Sequence, residues 1–209
     1  MHISEGILSP GVLACGAGLA CAGTAIGLKK LDYERIIQAG IFSAVFFLAS
    51  LIHVPIGLTN AHLLLNGLLG VLLGWAAFPA ILVALILQAM LFQYGGLTTL
   101  GVNVCTMGFS AVLCWYCFRL IMRCMRGPAA LRIASFVAGS LGVALAALFT
   151  SAVLAFTDEG FWLAAKLLLL AHLPVMLAEG FITMFTVEIM AKVDPGIFAI
   201  FGNKSQVQQ

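Results

Sequence analysis

Long apolar runs, separated by only a few charged residues, are the feature that most limits what this chain can fold into. Of its 209 residues, 63% are hydrophobic and 9% are charged, whereas soluble domains carry about 25% charged residues. A soluble domain of this size cannot bury so much apolar surface, so lipid must surround these runs. Because lipid offers the backbone no hydrogen bonds, the runs must form helices or a closed barrel. Their length, roughly 20 residues each, predicts helices.

The sequence predicts an all-α membrane protein with about seven transmembrane helices, within a range of six to eight. Segment 53–60 cannot continue a helix, because Pro55 and Gly57 interrupt it. The apolar stretch 61–94 exceeds one span, so we predict two short helices that meet at Pro79. The predicted spans are 10–28, 36–52, the two helices within 61–94, about 100–122, about 132–156 and 162–189.

Basic residues predict the orientation of the bundle. With seven spans, nine of the ten lysines and arginines fall on one side of the membrane, and Lys166 is the exception. The positive-inside rule makes that side cytoplasmic, so the N-terminus is expected outside and the C-terminus in the cytoplasm. We expect a single transmembrane domain over 1–209, with 1–9 an extracytoplasmic segment and 190–209 a short cytoplasmic tail. The positive charges follow the first apolar run instead of preceding it, so we expect a retained span and not a cleaved signal peptide.

The first two residues can form a metal chelate. The α-amine of Met1, the backbone amide nitrogen of His2 and the His2 imidazole can close a five-membered ring fused to a six-membered ring around one ion. With the amide deprotonated, three nitrogens lie in a plane, which suits Ni(II) and Cu(II), with Co(II) a third option. One further imidazole would complete the square. A histidine at position 2 is by itself weak evidence, because most such residues have no such role.

His62 is the candidate for that further imidazole. It follows the outer loop 53–60 and begins a helix on the side where the N-terminus is expected. Asn60 and Asn66 flank it with hydrogen-bonding groups that could orient the ring. A lone histidine at a helix end is more often an interfacial residue, and we favour that interpretation for His53.

His172 and Glu179 are the polar pair of the last predicted span. They are seven residues apart and therefore share a helix face. They form either a polar relay for protons or a buried pair that specifies helix packing.

Small residues at four-residue spacing mark the first span, at Ala14, Gly18 and Ala22. Such stripes allow close helix contact, either within the bundle or with a partner protein. The chain has no Gly-x-x-x-x-Gly-Lys-Ser/Thr loop and hence no means of its own to hydrolyse ATP.

Several motifs in order along the chain resemble the CbiM/NikM family, the substrate-binding membrane subunits (S components) of cobalt and nickel energy-coupling-factor transporters. The opening MHISEG matches the pattern M-H-I-x-E-G of that family. The further matches are VP at 54–55, His62, QAMLF at 88–92, GGLTTLG at 95–101, Asn103, Pro174 and AEGFIT at 178–183. The resemblance thus covers nearly the whole chain.

The resemblance implies a metal site of four nitrogens near the outer face. These map to the amine of Met1, the backbone amide and imidazole of His2, and His62. Asn103 joins Asn60 and Asn66 as a possible supporting residue behind the ligands. The Gly-Gly-Leu-Thr-Thr-Leu-Gly and Ala-Glu-Gly motifs look closer to the cobalt branch, whereas Ala171-His172-Leu173 is similar to the nickel branch.

The resemblance also implies a transporter subunit, not an enzyme, in the cytoplasmic (inner) membrane of a prokaryote. Expected partners are a transmembrane coupling subunit (T component), a pair of cytoplasmic ATPases and a small accessory membrane subunit, with no nucleic acid. Ala14, Gly18 and Ala22 would then contact the coupling subunit. No cofactor is expected beyond the transported Co²⁺ or Ni²⁺.

The sequence leaves two alternatives open. One is an S component for another small substrate, such as an organic vitamin, which would need a larger aromatic-lined pocket and no free N-terminus. The other is an intramembrane enzyme or assembly factor that uses His172 and Glu179 as acid and base, although those helices offer no nucleophile and no set of three metal ligands.

Overall fold

A computed structural model describes residues 2–56, 59–125, 127–157, 160 and 162–193. That part of the chain forms eight α-helices and one short antiparallel hairpin, β1 (His53–Ile56) and β2 (Thr59–His62). The helices are α1 (Pro10–Lys29), α2 (Ile36–Ala49), α3 (Asn66–Leu73), α4 (Ala77–Phe92), α5 (Leu100–Cys124), α6 (Pro128–Thr157), α7 (Trp162–Ala171) and α8 (Leu173–Val193).

Five stretches of the described chain are long and apolar enough to cross a membrane. They are α1, the stretch from α3 through α4, α5, α6 and α8. Helix α2 is apolar but shorter, with 14 residues. The fold is therefore that of a multi-pass helical membrane protein, as predicted, with the hairpin as its only departure from helix among the described secondary structure.

Close packing of the central helices depends on small residues. The ring of Phe78 in α4 lies between Gly23 of α1 and Gly108 of α5, and a Cβ at either glycine would overlap that ring. Helix α1 buries a stripe of small residues against the bundle, namely Gly16, Ala20, Gly23 and Gly27. In lipid the hydrophobic effect does not drive helices together. Helix association depends instead on the van der Waals contacts that such close backbones make.

Several predicted helix boundaries were wrong. The break in the long apolar stretch lies at Gly74 and not at Pro79, because Gly74 has a φ of +57°, which favours glycine. Pro79 sits in the first turn of α4, where a missing N–H costs nothing. Helix α2 ends at Ala49 instead of 52, and α6 begins at Pro128 within the predicted basic loop.

The predicted last span is two helices. The chain leaves regular helix at His172 between α7 and α8, because Pro174 has no N–H to bond back to the preceding turn. At its other end α8 continues to Val193, so residues 190–193 are helical and not part of the predicted tail. Residues 194–209 lie outside the described residues.

Basic side chains gather at one end of the bundle. Lys30 lies over the Trp75 ring, with Nζ 5.0 Å from its centroid, and Trp75 Nε1 donates a hydrogen bond to Tyr116. Arg35 donates a hydrogen bond of 2.6 Å to the carbonyl of Leu72. Cationic and aromatic residues at one level are typical of a membrane interface.

A salt bridge to Glu188 near the end of α8 also connects α8 to the start of α6. Glu188 binds Arg132 at 2.8 Å and Lys192 at 3.4 Å. Helix α8 begins next to His172, and about 20 residues of helix span roughly 30 Å. His172 and Lys192 therefore lie at opposite ends of α8, and the basic end is the one that the sequence predicts to be cytoplasmic.

Candidate metal centre

The N-terminal segment is docked into the bundle by hydrogen bonds and apolar contacts. Ile3 is 3% exposed and packs with Leu8, Val102 and Leu154. The Ile3 N–H donates to Asn103 Oδ1 at 3.0 Å, and Asn103 Nδ2 donates to the Ile3 carbonyl at 3.2 Å. A side-chain amide thus pairs both backbone groups of Ile3, as a neighbouring strand would. This pairing fixes the backbone next to His2.

The loop after α4 is shaped to receive the same segment. Gly95 and Gly96 have φ values of +78° and +138°, which other residues rarely adopt. A Cβ at Gly96 would overlap the side chain of Glu5, whose carboxylate accepts the N–H of Thr98 at 3.2 Å. The glycine pair of the 95–101 motif therefore allows the N-terminal segment to lie directly against this loop.

The His2 ring stacks with two other rings. Its centroid is 5.1 Å from that of His62, with an interplanar angle of 17°, and 6.3 Å from that of Tyr94, with an angle of 14°. A metal–imidazole bond is about 2 Å, so two rings that share one ion have centroids within roughly 6 Å. His2 and His62, which are sixty positions apart in the sequence, meet that condition.

Glu179 fixes the turn that follows His62. Its fully buried carboxylate accepts the backbone N–H groups of Leu64 and Leu65, the latter at 2.9 Å and 3.0 Å. A carboxylate at the start of α3 satisfies N–H groups that have no partner within the helix and interacts favourably with its dipole. Glu179 therefore holds the chain on the C-terminal side of His62.

His172 faces the same cavity as the other two histidines. The cavity has a volume of about 490 Å³. Its described lining consists of His2, Ser4, His62, Gln93, Tyr94, Gly95, Ala164, Leu167, Leu168, Ala171 and His172. His172 is 6% exposed, and its Nδ1 lies 2.7 Å from the carbonyl oxygen of Leu168. Three imidazoles, from three separate parts of the chain, therefore border one space.

Burial favours the neutral form of two of these imidazoles. Burial lowers the pKa of His62 below its usual range, although the hydrogen bond to the Leu63 carbonyl opposes this. Burial also lowers the pKa of His172, and the nearby His62 lowers it further. Neutral imidazole is the form that binds metal ions, so both rings are suited to that role at neutral pH.

The predicted supporting asparagines and Met1 differ in how far the structure describes them. Asn66 is the first residue of α3 and fully buried, and its amide makes no hydrogen bond among the described residues. The His62 Nδ1 faces the Leu63 carbonyl at 3.0 Å. Met1 and the side chain of Asn60 lie outside the described residues.

The structure shows no hydrogen bond between His172 and Glu179. Each bonds elsewhere, His172 to the carbonyl of Leu168 in α7 and Glu179 to the backbone just before α3. A direct relay between them therefore has no support in the described contacts, and the prediction remains untested. Tyr94, Ser4 and Gln93 were not singled out from the sequence, since nothing in their spacing marks them as lining residues.

The small residues predicted to contact a partner face outward. Ala14, Gly18 and Ala22 are all exposed, and nothing lies within 4 Å of a Cβ placed on Gly18. The bundle packs instead through the buried stripe that begins at Gly16. The exposed stripe thus has no role in packing within the described part of this chain.

Within the described ranges, no three His, Cys, Asp or Glu side chains come together as a metal-binding group. A site that drew on an α-amine and a backbone amide would need only two such side chains, and the rings of His2 and His62 lie 5.1 Å apart. The donor set is then entirely nitrogen, which suits Co²⁺, Ni²⁺ and Cu²⁺ better than Mg²⁺ or Ca²⁺.

Replacing Asn103 with alanine tests how the N-terminal segment is held. We expect Co²⁺ affinity to fall by about 10- to 100-fold, because the two groups of Ile3 lose their partner and His2 is no longer fixed. Ser110→Ala is the matched control, since Ser110 is buried on the same helix and its hydroxyl, among the described residues, bonds only to the carbonyl of Met107. Equal affinities for the two variants, measured by competition titration, would contradict this role.

Comparisons with known proteins point to transition-metal transport. The family model described as "cobalt uptake substrate-specific transmembrane region", named CbiM, matches residues 2–197. A Haemophilus influenzae protein named for metal transport is 40% identical over 198 residues, 94% of this chain and 96% of its own length. A fused nickel transport protein, NikMN, of Archaeoglobus fulgidus is 33% identical, covering 94% of this chain and 68% of that protein.

A solved structure described as a transition metal transporter shares the fold. It aligns with a TM-score of 0.81 and 29% identity, over 98% of this chain and 99% of that one. The cobalt transport protein CbiM of Geobacter sulfurreducens is 30% identical, covering 97% of this chain and 62% of its own length. The chain therefore belongs to the CbiM family of transition-metal uptake components, and it is a membrane transport subunit and not an enzyme.

Proposed function

We propose that this chain captures Co²⁺ or Ni²⁺ at the outer face of the cytoplasmic membrane. Four nitrogens would hold the ion: the α-amine of Met1, the backbone amide and imidazole of His2, and the imidazole of His62. The observation that carries the proposal is the placement of the His2 and His62 rings, 5.1 Å apart on the wall of one cavity. The proposal requires that Met1 carries a free amine.

The orientation of the bundle supports capture from outside. The cavity lies at the end of the bundle opposite Lys30 and Lys192. If the positive-inside rule holds here, the basic end faces the cytoplasm. The imidazoles then face the extracytoplasmic side, where an ion arrives. Relatives of this chain are named for both nickel and cobalt transport; sequence motifs favour cobalt slightly.

Binding through an amine and a backbone amide makes uptake strongly dependent on pH. At neutral pH the amine is largely protonated, with an ordinary pKa of about 7.7–8.0, and the amide is fully protonated. Two protons therefore leave when the ion binds, and Co²⁺ affinity is expected to fall about 100-fold for each pH unit below about 7. The lowered pKa of His62 means that this ring competes for protons only at still lower pH.

Competition titrations from about pH 8 to about pH 6 measure this dependence and test the proposed function. A site built from imidazoles alone would have nearly constant affinity between about pH 8 and pH 7, because both rings are already neutral there. Such a flat profile would contradict the amine and amide as ligands.

Delivery of the ion inward would depend on partner subunits. We propose an energy-coupling-factor arrangement with a transmembrane coupling subunit, a pair of cytoplasmic ATPases and a small accessory membrane subunit. The outward-facing stripe of Ala14, Gly18 and Ala22 supports such a contact, because it allows another helix to approach α1 closely.

Gly18→Leu is expected to weaken assembly with the coupling subunit, because the larger side chain keeps the partner helix away. Gly40→Leu on α2 is the matched control, since Gly40 is also exposed with nothing within 4 Å of a Cβ. Co-purification of the complex measures the effect, and metal binding by the isolated chain should be unchanged in both variants. Normal assembly of the Gly18 variant would place the contact elsewhere.

A further inference from the structure

The cavity is larger than the proposed four-nitrogen site needs. Its volume is about 490 Å³, whereas one water takes up roughly 30 Å³ in the liquid. An ion that still carries part of its hydration shell therefore fits inside. The wall contributed by α7 is apolar in its described lining, at Ala164, Leu167, Leu168 and Ala171, and ends at the imidazole of His172.

His62 and His172 are oriented by the same kind of hydrogen bond. The Nδ1 atom of His62 lies 3.0 Å from the Leu63 carbonyl, and that of His172 lies 2.7 Å from the Leu168 carbonyl. A carbonyl oxygen only accepts, so Nδ1 carries the proton in each ring, and Nε2 of the neutral ring has the lone pair. Histidines that bind metal ions are held in this way, with the other ring nitrogen bonded to a backbone carbonyl or carboxylate.

The two histidines also lie on separately supported elements. His62 lies just before Leu64 and Leu65, whose N–H groups bond to the carboxylate of Glu179. His172 lies at the interruption between α7 and α8. Among the described residues, His172 Nε2 has no hydrogen-bond partner. Neither the four-nitrogen site nor the packing of α7 gives this atom a function.

We propose that His172 is an additional metal ligand that forms an entry pair with His62. The incoming ion would exchange two waters for the Nε2 atoms of His62 and His172. The N-terminal amine, amide and imidazole would then close on it, while His62 remains bound and His172 is released. This inference rests on the proposed function, because it assigns a step before the four-nitrogen complex forms.

The test uses the full chain with three residues added before Met1, which removes the α-amine from the site. Co²⁺ alone is the probe. The extended chain should retain weak one-to-one binding through the entry pair, and His172→Gln in that background should reduce it by at least about tenfold. Glutamine can still donate to the Leu168 carbonyl but has no imidazole nitrogen, so a purely structural role would survive this change. Leu167→Ala, on the same cavity wall, should leave the weak binding within about twofold.

A cysteine variant tests the same ligand through the appearance of an absorption band instead of a loss of Co²⁺ affinity. In the extended chain, His172→Cys would place a thiolate where the imidazole was, and Co²⁺ should then show a sulfur-to-cobalt charge-transfer absorption. Leu167→Cys, which also controls for the six native cysteines, should show no such absorption.

The outcomes separate this inference from the proposed function. Weak binding that is insensitive to His172→Gln, or no binding by the extended chain, would overturn the entry pair, as would a His172→Cys spectrum equal to that of Leu167→Cys. Binding by the extended chain as tight as that of the native chain would instead overturn the proposed four-nitrogen site.

Discussion

His62→Ala is expected to weaken Co²⁺ binding by at least about 100-fold. Loss of a group behind a ligand already costs about 10- to 100-fold, and this substitution removes a ligand itself. The ring is 8% exposed and borders the cavity beside His2. With the fourth corner of the square open, water would replace the imidazole and the ion would dissociate faster.

His53→Ala is the matched control for this substitution. The Cα of His53 is the direct partner of the Cα of His62 in the hairpin, so both changes remove an imidazole from the same two-stranded element. The sequence predicts an interfacial anchor at His53, and its variant should bind Co²⁺ within about threefold of the native chain. Similar losses for the two variants would mean that the hairpin, and not a ligand, was disturbed.

Adding three residues before Met1 is expected to reduce Co²⁺ and Ni²⁺ affinity by at least about 100-fold. The amine is then too far from His2 to close the five-membered ring, so the backbone amide has no neighbouring donor that helps the ion displace its proton. Stability should change little, because Ile3 keeps its hydrogen bonds to Asn103. Equilibrium titration with each metal ion measures the loss.

A one-residue extension should behave differently and is a useful second variant. It places His2 third from the terminus, so the amine, two backbone amides and the imidazole supply four nitrogens by themselves. Such a planar set suits Ni²⁺ and Cu²⁺ without any ligand from the bundle. We expect this variant to bind Ni²⁺ independently of His62, so that His62→Ala no longer has a cost. A continued requirement for His62 in that variant would argue against the planar arrangement.

The sequence predicted the class of fold well because lipid imposes a strong constraint on apolar runs. Helices α1 and α5 begin and end close to the predicted limits. The errors arose where two helix-breaking signals compete. Pro79 is the stronger signal in a sequence, but it is harmless in a first turn, whereas Gly74 adopts a conformation that ends α3. Only the packed backbone decides between them.

The candidate site was predictable in part. The chelating capacity of Met1 and His2 follows from covalent bonding, and the family motifs pointed to His62. The juxtaposition of the two rings needed the folded bundle, because it depends on Asn103 pairing with Ile3. Tyr94 carries no signal in the sequence that would place it beside His2.

Glu179 shows why spacing alone can mislead. Its position seven residues after His172 predicted a pair on one helix face, yet its carboxylate bonds to the backbone of Leu64 and Leu65. Those partners are more than a hundred residues away in the sequence. A buried acid in a membrane helix bonds to whatever donors the fold brings near it.

X-ray absorption of the purified chain loaded with one equivalent of Co²⁺ or Ni²⁺ tests the central claim most directly. The four-nitrogen site predicts one ion per chain, a first shell of nitrogen with at least two imidazoles, and loss of that shell in the chain extended by three residues. A first shell of oxygen or sulfur, or an unchanged nitrogen shell in the extended chain, would contradict the assignment of Met1, His2 and His62 as the ligands.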